Sequence, residues 1–174
     1  KSNVIKSLIW KLLERIGTEG VQFLVQIFLA RLLSPKDFGT IALVMVFISL
    51  GRVFVERGFN TALIQKKNPD NLDFSSVFYI SFFLSVLLYF VIYIATPYIA
   101  DFYGDDKLIS ILRVLSLTLL LGSINSIQYA YISKNMLFKK LFTSSFVAIV
   151  VSGTLGIAAA YMGAGVWALV IQQL

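Results

Sequence analysis

Hydrophobic positions run through this chain in long unbroken stretches, not in alternation. Six apolar stretches stand out, at about 8–33, 38–65, 75–100, 108–132, 141–162 and from 166 onward. A helix that crosses a membrane needs about 20 mostly apolar residues, and the first five stretches meet that length. Continuous runs favour helices over a barrel, whose strands would alternate, and an open sheet edge cannot face lipid. The breaks carry turn chemistry. Ser34-Pro35 suits a helix start, with Ser34 as cap and Pro35 in the first turn. Asn68-Pro69-Asp70-Asn71 separates the second run from the third, Pro97 falls near the end of the third with Gly104-Asp105-Asp106 following, and Gly163-Ala164-Gly165 ends the fifth.

The third run has no charge between Asp73 and Asp101, whereas the first two runs hold charge inside. Lys11, Glu14, Arg15 and Glu19 lie in the first, and Arg52, Glu56 and Arg57 in the second. A charge at the centre of a membrane helix costs roughly 2.5–3.5 kcal/mol on insertion scales, so such residues are read first as functional. On a wheel of about 100° per residue, Lys11, Glu14, Arg15, Thr18, Glu19, Gln22 and Gln26 share an arc of roughly 140°. Leu12, Leu13, Ile16, Gly20, Phe23, Leu24, Ile27 and Phe28 occupy the other side. On the second run Ser49, Arg52, Glu56 and Asn60 share roughly 80°, with Arg57 at the edge. Each helix is thus expected to have one polar stripe and one face suited to lipid. If the two form a hairpin about Pro35-Lys36, Arg15 lies level with Glu56, and Glu19 with Arg52. The expectation is that these pairs face each other across a hydrated cavity. Lys11 and Glu14, near the inner interface, have snorkelling as the alternative. For Arg15, Glu19, Arg52 and Glu56 the alternative is a set of ion pairs that only hold helices together.

Composition agrees with the pattern. Of 174 residues, 58% are hydrophobic and 14% charged, against about 25% charged in a typical soluble domain. The fold class is therefore an all-α membrane protein, a polytopic helical bundle. No cysteine and no histidine is present, which removes disulfides, thiolate metal sites and the commonest general base. A net charge of +6 fits basic cytoplasmic loops facing anionic lipid rather than nucleic acid. With the N-terminus inside, Lys1, Lys6, Lys66, Lys67, Lys134, Lys139 and Lys140 face the cytoplasm, against Arg31, Lys36, Lys107 and Arg113 outside. Arg31 and Arg113 are expected as interfacial anchors. The short loops leave no room for a soluble catalytic domain. No phosphate loop, HExxH or Gly-x-Ser-x-Gly motif occurs, so an enzyme is not expected and any driving force would be an ion gradient. No signal peptide is expected, because charge interrupts the first run.

The remaining helices look like scaffold. Tyr79, Tyr89, Tyr93, Tyr98 and Tyr103 are expected as packing or interface aromatics, with sugar stacking as the alternative. Asn125 and Gln128 are expected to bond between helices, and Gly153 and Gly156 to permit close helix packing. Trp10 and Trp167 suit interface belts.

LARLLSPKDFGTIAL at 29–43 resembles a known family. So do Gly58-Phe59 with TALIQ at 61–65, SSVFY at 75–79, IADFYG at 99–104 and GAGVWALVIQQL at 163–174. The family is that of bacterial polysaccharide exporters of the lipopolysaccharide, O-antigen and teichuronic-acid type. It lies within the multidrug/oligosaccharidyl-lipid/polysaccharide exporter superfamily. The resemblance implies two six-helix bundles, of which residues 1–174 would be the N-terminal one, truncated in its sixth helix and partnered by a C-terminal bundle. It implies a transporter in the bacterial plasma membrane that flips a polyprenyl-diphosphate-linked oligosaccharide from the inner to the outer leaflet by alternating access. Arg15, Arg52, Arg57 and Lys11 would then meet diphosphate or acidic sugars. Gln22, Gln26, Ser49 and Asn60 would be polar cavity residues. Glu19 and Glu56 would align the guanidinium groups, and one of them is the candidate site for a coupling proton or sodium ion. No cofactor is implied. The partners would be lipid-linked oligosaccharide and membrane lipids, with no nucleic acid. The leading alternative is an ion-coupled drug or cation antiporter of the same superfamily, which calls for a more acidic cavity. A membrane glycan polymerase or transferase would need a catalytic acid or a large outer loop, and a non-transporting scaffold subunit is the last reading.

The level pairing is open to charge reversal. Glu56→Arg alone should abolish export of surface glycan, and adding Arg15→Glu should restore it. A double variant no better than the single would refute the pairing.

Overall fold

In the computed structural model residues 2–57, 70–135 and 138–174 are described. Nearly all of them are helical, with no strand among them. The helices are α1 (Ser2–Leu32), α2 (Pro35–Arg52), α3 (Asn71–Tyr103), α4 (Lys107–Lys134), α5 (Phe138–Tyr161) and α6 (Val166–Gln173). A π-helical turn, Val53–Arg57, continues α2. Four segments are long and apolar enough to cross a membrane, Pro35–Val55, Leu72–Tyr103, Lys107–Ile132 and Lys139–Tyr161. This is a multi-pass membrane protein. At 31 residues α1 also has the length, but its ionised residues keep it out of the apolar set.

The helix ends follow from local chemistry and shift several expected boundaries. The start of α2 is a reciprocal cap. The Asp37 N–H donates to Ser34 Oγ at 3.3 Å, and the Ser34 N–H donates back to Asp37 Oδ2 at 3.1 Å. Satisfying orphan amides in this way stabilises a helix by about 1 kcal/mol, and it starts the helix at Pro35 behind a Ser34 cap, as Ser34-Pro35 predicts, ahead of the apolar run at 38. At α3 the Asp70 N–H donates to Asp73 Oδ2 at 3.0 Å, so this helix also begins early. It runs through Pro97, whose missing N–H is tolerated among packed membrane helices. It stops at Gly104, in the left-handed conformation with φ 66°. The Gly104 N–H reaches Asp101 O and the Asp105 N–H reaches Ala100 O, a Schellman ending that needs glycine. Residues 58–65 of the expected second run, including TALIQ, lie outside the described residues.

The chain divides into two compact units. Unit one joins Lys1–Gly39 to Ile132–Leu174. In it α1 packs along α5, and α5 along α6. Trp10 meets Phe142 with ring centroids 5.8 Å apart, and Val25 meets Gly153. Residue numbers rise together along both helices, so α1 and α5 run parallel. The close approach depends on glycine. A Cβ on Gly153 would lie 2.5 Å from Val25 Cγ2, and one on Gly156 would lie 2.8 Å from Gln172 Cβ and 3.2 Å from Ala168 O. The small residues expected to pack helices therefore do so.

Unit two, Thr40–Tyr131, contains most of α2 with α3 and α4. Its core is Val44, Ile48 and Val55 with Leu108, Ile111, Leu112, Leu115 and Leu119. Antiparallel α3 and α4 meet at Phe74 with Tyr131, Ser85 with Ser123 and Tyr93 with Arg113, and Ser81, Thr96, Ser116 and Ser126 on the same two helices are buried as well. Ser85 and Ser123 hydroxyls approach to 3.3 Å, while Ser85 donates to Phe82 O and Thr96 to Ile92 O. Hydroxyls that bond their own helix present a small surface to the neighbour. Asn125 and Gln128, expected to bond between helices, are instead exposed. The contact between the helices is made instead by Ser85 and Ser123. Arg113, expected as an interfacial anchor, is half-buried, with its guanidinium 4.1 Å from the centre of the Tyr93 ring.

Gly153→Leu should force α1 from α5 and lower thermal stability in detergent by about 1–3 kcal/mol. Gly20→Ala, where an added Cβ meets nothing within 4 Å, should be neutral or stabilise by about 0.5–1 kcal/mol. Equal melting temperatures for the two variants would refute the glycine contact.

Candidate functional site

The polar stripe of α1 borders a groove in unit one. Thr18, Glu19, Gln22, Phe23 and Gln26 of α1 line it, with Ile149 of α5 opposite, and its volume is about 450 Å³. That falls within the usual range of small-ligand sites, about 300–1,000 Å³. Helical geometry places the residues. Positions 21, 25 and 29 turn toward α5, with Val25 and Leu29 buried. Positions 19, 22 and 26 fall beside that packed face, where α5 gives way to open space. The face holding Leu12, Ile16, Leu24 and Phe28 is uncovered by protein. In a membrane helix such apolar surface is matched by acyl chains.

Four of the expected stripe residues, Thr18, Glu19, Gln22 and Gln26, are thus brought together. Thr18 donates its hydroxyl to Glu14 O at 2.6 Å, so toward the groove it can only accept. Glu19 and Gln26 are exposed and Gln22 half-buried. Lys11 and Arg15 continue the stripe toward the N-terminus and are exposed, with Glu14 half-buried. Phe23 departs from expectation. The wheel put it on the lipid side, yet it forms a wall of the groove, because it stands one step beyond Glu19 at the stripe's edge. Ile149 was not foreseeable from α1 alone, since pairing with a helix more than a hundred residues away leaves no local trace.

On α2, Ser49 is exposed and bonds back to Val46 O at 2.9 Å, and Arg52 is half-buried at the helix end. The backbone of Glu56 and Arg57 lies in the π-helical turn, while their side chains, and Asn60 entirely, are outside the described residues. A π turn bonds i to i+5, so a wheel drawn at α-helical spacing loses its phase there by up to about 100°. The phase assigned to Glu56, Arg57 and Asn60 therefore no longer follows from sequence spacing. The expected pairs, Arg15 with Glu56 and Glu19 with Arg52, take one member from each unit and stand as expectations. No cluster of three or more potential metal ligands occurs among the described residues.

The absence of native cysteine from the chain makes the groove easy to probe. A single cysteine at Gln22 or Gln26 should react with a water-soluble maleimide, because thiolate forms only where water reaches. One at Ile16 or Leu24 should not. Equal labelling at all four positions would refute the division of α1 into wet and lipid faces.

The chain matches the family model described as "Polysaccharide biosynthesis protein" over residues 28–174. It is 24% identical over 169 residues to the succinoglycan biosynthesis transport protein ExoT of Rhizobium meliloti, covering 97% of this chain and 34% of that protein. It is 32% identical over 124 residues to the teichuronic acid biosynthesis protein TuaB of Bacillus subtilis, covering 70% and 25%. It is 19% identical over 141 residues to the lipopolysaccharide biosynthesis protein WzxC of Escherichia coli, covering 81% and 29%. The chain thus spans about a quarter to a third of the length of these curated relatives. No solved structure matches it significantly. With most of its length matched by one family model, the chain belongs to the polysaccharide biosynthesis protein family, the bacterial exporter family its sequence resembles.

Proposed function

We propose that the chain is the N-terminal bundle of a non-enzymatic transporter in the bacterial plasma membrane, with its N-terminus in the cytoplasm. Its substrate is an oligosaccharide on a polyprenyl diphosphate, moved from the inner to the outer leaflet by alternating access for surface polysaccharide biosynthesis. The observation that carries this reading is the polar groove on α1 of a multi-pass membrane protein of this family. The relatives are named for succinoglycan, teichuronic acid and lipopolysaccharide. These glycans differ, so the shared feature is best sought in the carrier. A diphosphate cannot enter hydrocarbon unaided, because an unpaired charge in an apolar medium costs many kcal/mol. Guanidinium groups meet phosphate through several hydrogen bonds at once. Lys11 and Arg15 on α1, with Arg52 and Arg57 on the second span, are the groups assigned to that contact, and the carboxylates Glu19 and Glu56 moderate their charge. Ser49 and Asn60 are further polar groups for the same path.

In the complete protein, Arg15→Gln with Arg52→Gln should cut surface polysaccharide more than tenfold while the protein stays at normal level in the membrane fraction. Normal polysaccharide in that double variant would overturn the proposal. Disappearance of the protein itself would assign these arginines to holding helices together.

A further inference from the structure

The groove on α1 differs in chemistry from the turns of the helix that precede it. Lys11 and Arg15 are cationic, but no lysine or arginine is among the described residues that line the groove. At 1.5 Å per residue, Arg15 lies about 6 Å along the axis from Glu19 and about 16 Å from Gln26. The stripe's cations, Lys11 and Arg15, therefore lie toward the N-terminus with Glu14 between them, and the groove beyond them holds one carboxylate and neutral groups.

The deeper set has a definite hydrogen-bonding character. Gln22 and Gln26 each offer two N–H donors and a carbonyl acceptor. Glu19 accepts only, and Thr18, its proton given to Glu14 O, also accepts only. Phe23, 66% exposed, and Ile149 supply apolar walls. An anion would meet a carboxylate and no lysine or arginine among the described lining residues. A hard cation would find one carboxylate and long amide side chains on one helix, short of the six or more oxygens such ions gather. A ring carrying several hydroxyls fits both parts. Each hydroxyl donates as well as accepts, matching carboxylate and carboxamides together, while the ring's C–H face suits Phe23 and Ile149.

We propose that this groove is a sugar subsite, in which Glu19, Gln22 and Gln26 bond ring hydroxyls and Phe23 covers the ring's apolar face. The inference rests on the transport reading and divides its substrate along α1. The diphosphate lies at Lys11 and Arg15, and the glycan lies further along, toward Gln26. Glu19 is thereby assigned to substrate rather than to a coupling ion.

The test uses the complete protein in lipid nanodiscs and two probes, each holding half of the substrate. One is the oligosaccharide repeat of the producing cell, freed of lipid and phosphate. The other is polyprenyl diphosphate without sugar. Gln22→Leu with Gln26→Leu should weaken oligosaccharide binding by about tenfold or more and leave polyprenyl diphosphate binding unchanged. Arg15→Gln should do the reverse. Phe23→Ala should lose the oligosaccharide and Phe23→Trp should keep it. The exposed ring can be cut back without disturbing the packed face. Unchanged oligosaccharide binding in the glutamine pair, or in Phe23→Ala, overturns the subsite. A wild-type protein that holds polyprenyl diphosphate but not the oligosaccharide overturns the subsite alone. One that holds neither overturns the transport reading as well.

Discussion

The contact between Val25 and Gly153 is the interaction on which the groove depends. Gly153 has no Cβ, so α5 can lie against α1 closely enough for Val25 and Leu29 to be buried. Ile149 stands one turn before Gly153 on the same face of α5, and that turn sets it opposite Phe23. An added methyl at Gly153 would push the wall back and widen the space between helices. Packing precision in a purely apolar contact thus fixes the width of a polar site beside it.

A helix with ionised groups at Lys11, Glu14, Arg15 and Glu19 has few stable placements in a membrane. Its hydrophobic faces must meet protein or lipid, and its charges must meet water or partners. The arrangement in unit one satisfies both demands by spending one face on α5, leaving another to lipid, and setting the polar stripe between. Unit two differs: α3 has no charge between Asp73 and Asp101, and the hydroxyls of Ser85, Thr96 and Ser123 bond within their own helices. One region leaves a polar groove open beside its packed face, the other buries small hydroxyl side chains among its helices.

Sequence made the helical membrane class legible, because uninterrupted apolar runs admit few other solutions. The stripe on α1 was equally legible, since a helix repeats reliably over 15 residues and Thr18, Glu19, Gln22 and Gln26 do share one groove. The second stripe was less so. A π turn at Val53–Arg57 breaks the spacing that a wheel assumes, and no composition rule marks it. The Ser85–Ser123 contact was missed for another reason. Serine looks unremarkable in an apolar run, whereas Asn125 and Gln128 look like partners, yet both stay exposed. Ile149 depended on long-range pairing, which no local pattern encodes. Asp37 could have been found, because Ser-Pro-Lys-Asp is a capping box with aspartate in place of glutamate.

The parallel pairing of α1 with α5 has a consequence for biogenesis. Val25 and Gly153 are far apart in sequence, so the ribosome must add well over a hundred residues before the partner exists. At about 5–20 residues per second that is on the order of ten seconds. Throughout that interval the most polar of the long helices waits without the neighbour that covers Val25 and Leu29. Its early retention in the bilayer must therefore rest on the translocon, on lipid, or on whichever nascent segment reaches it first. Substitutions that make α1 still more polar would be felt first as degradation of newborn chains, well before any effect on the finished protein.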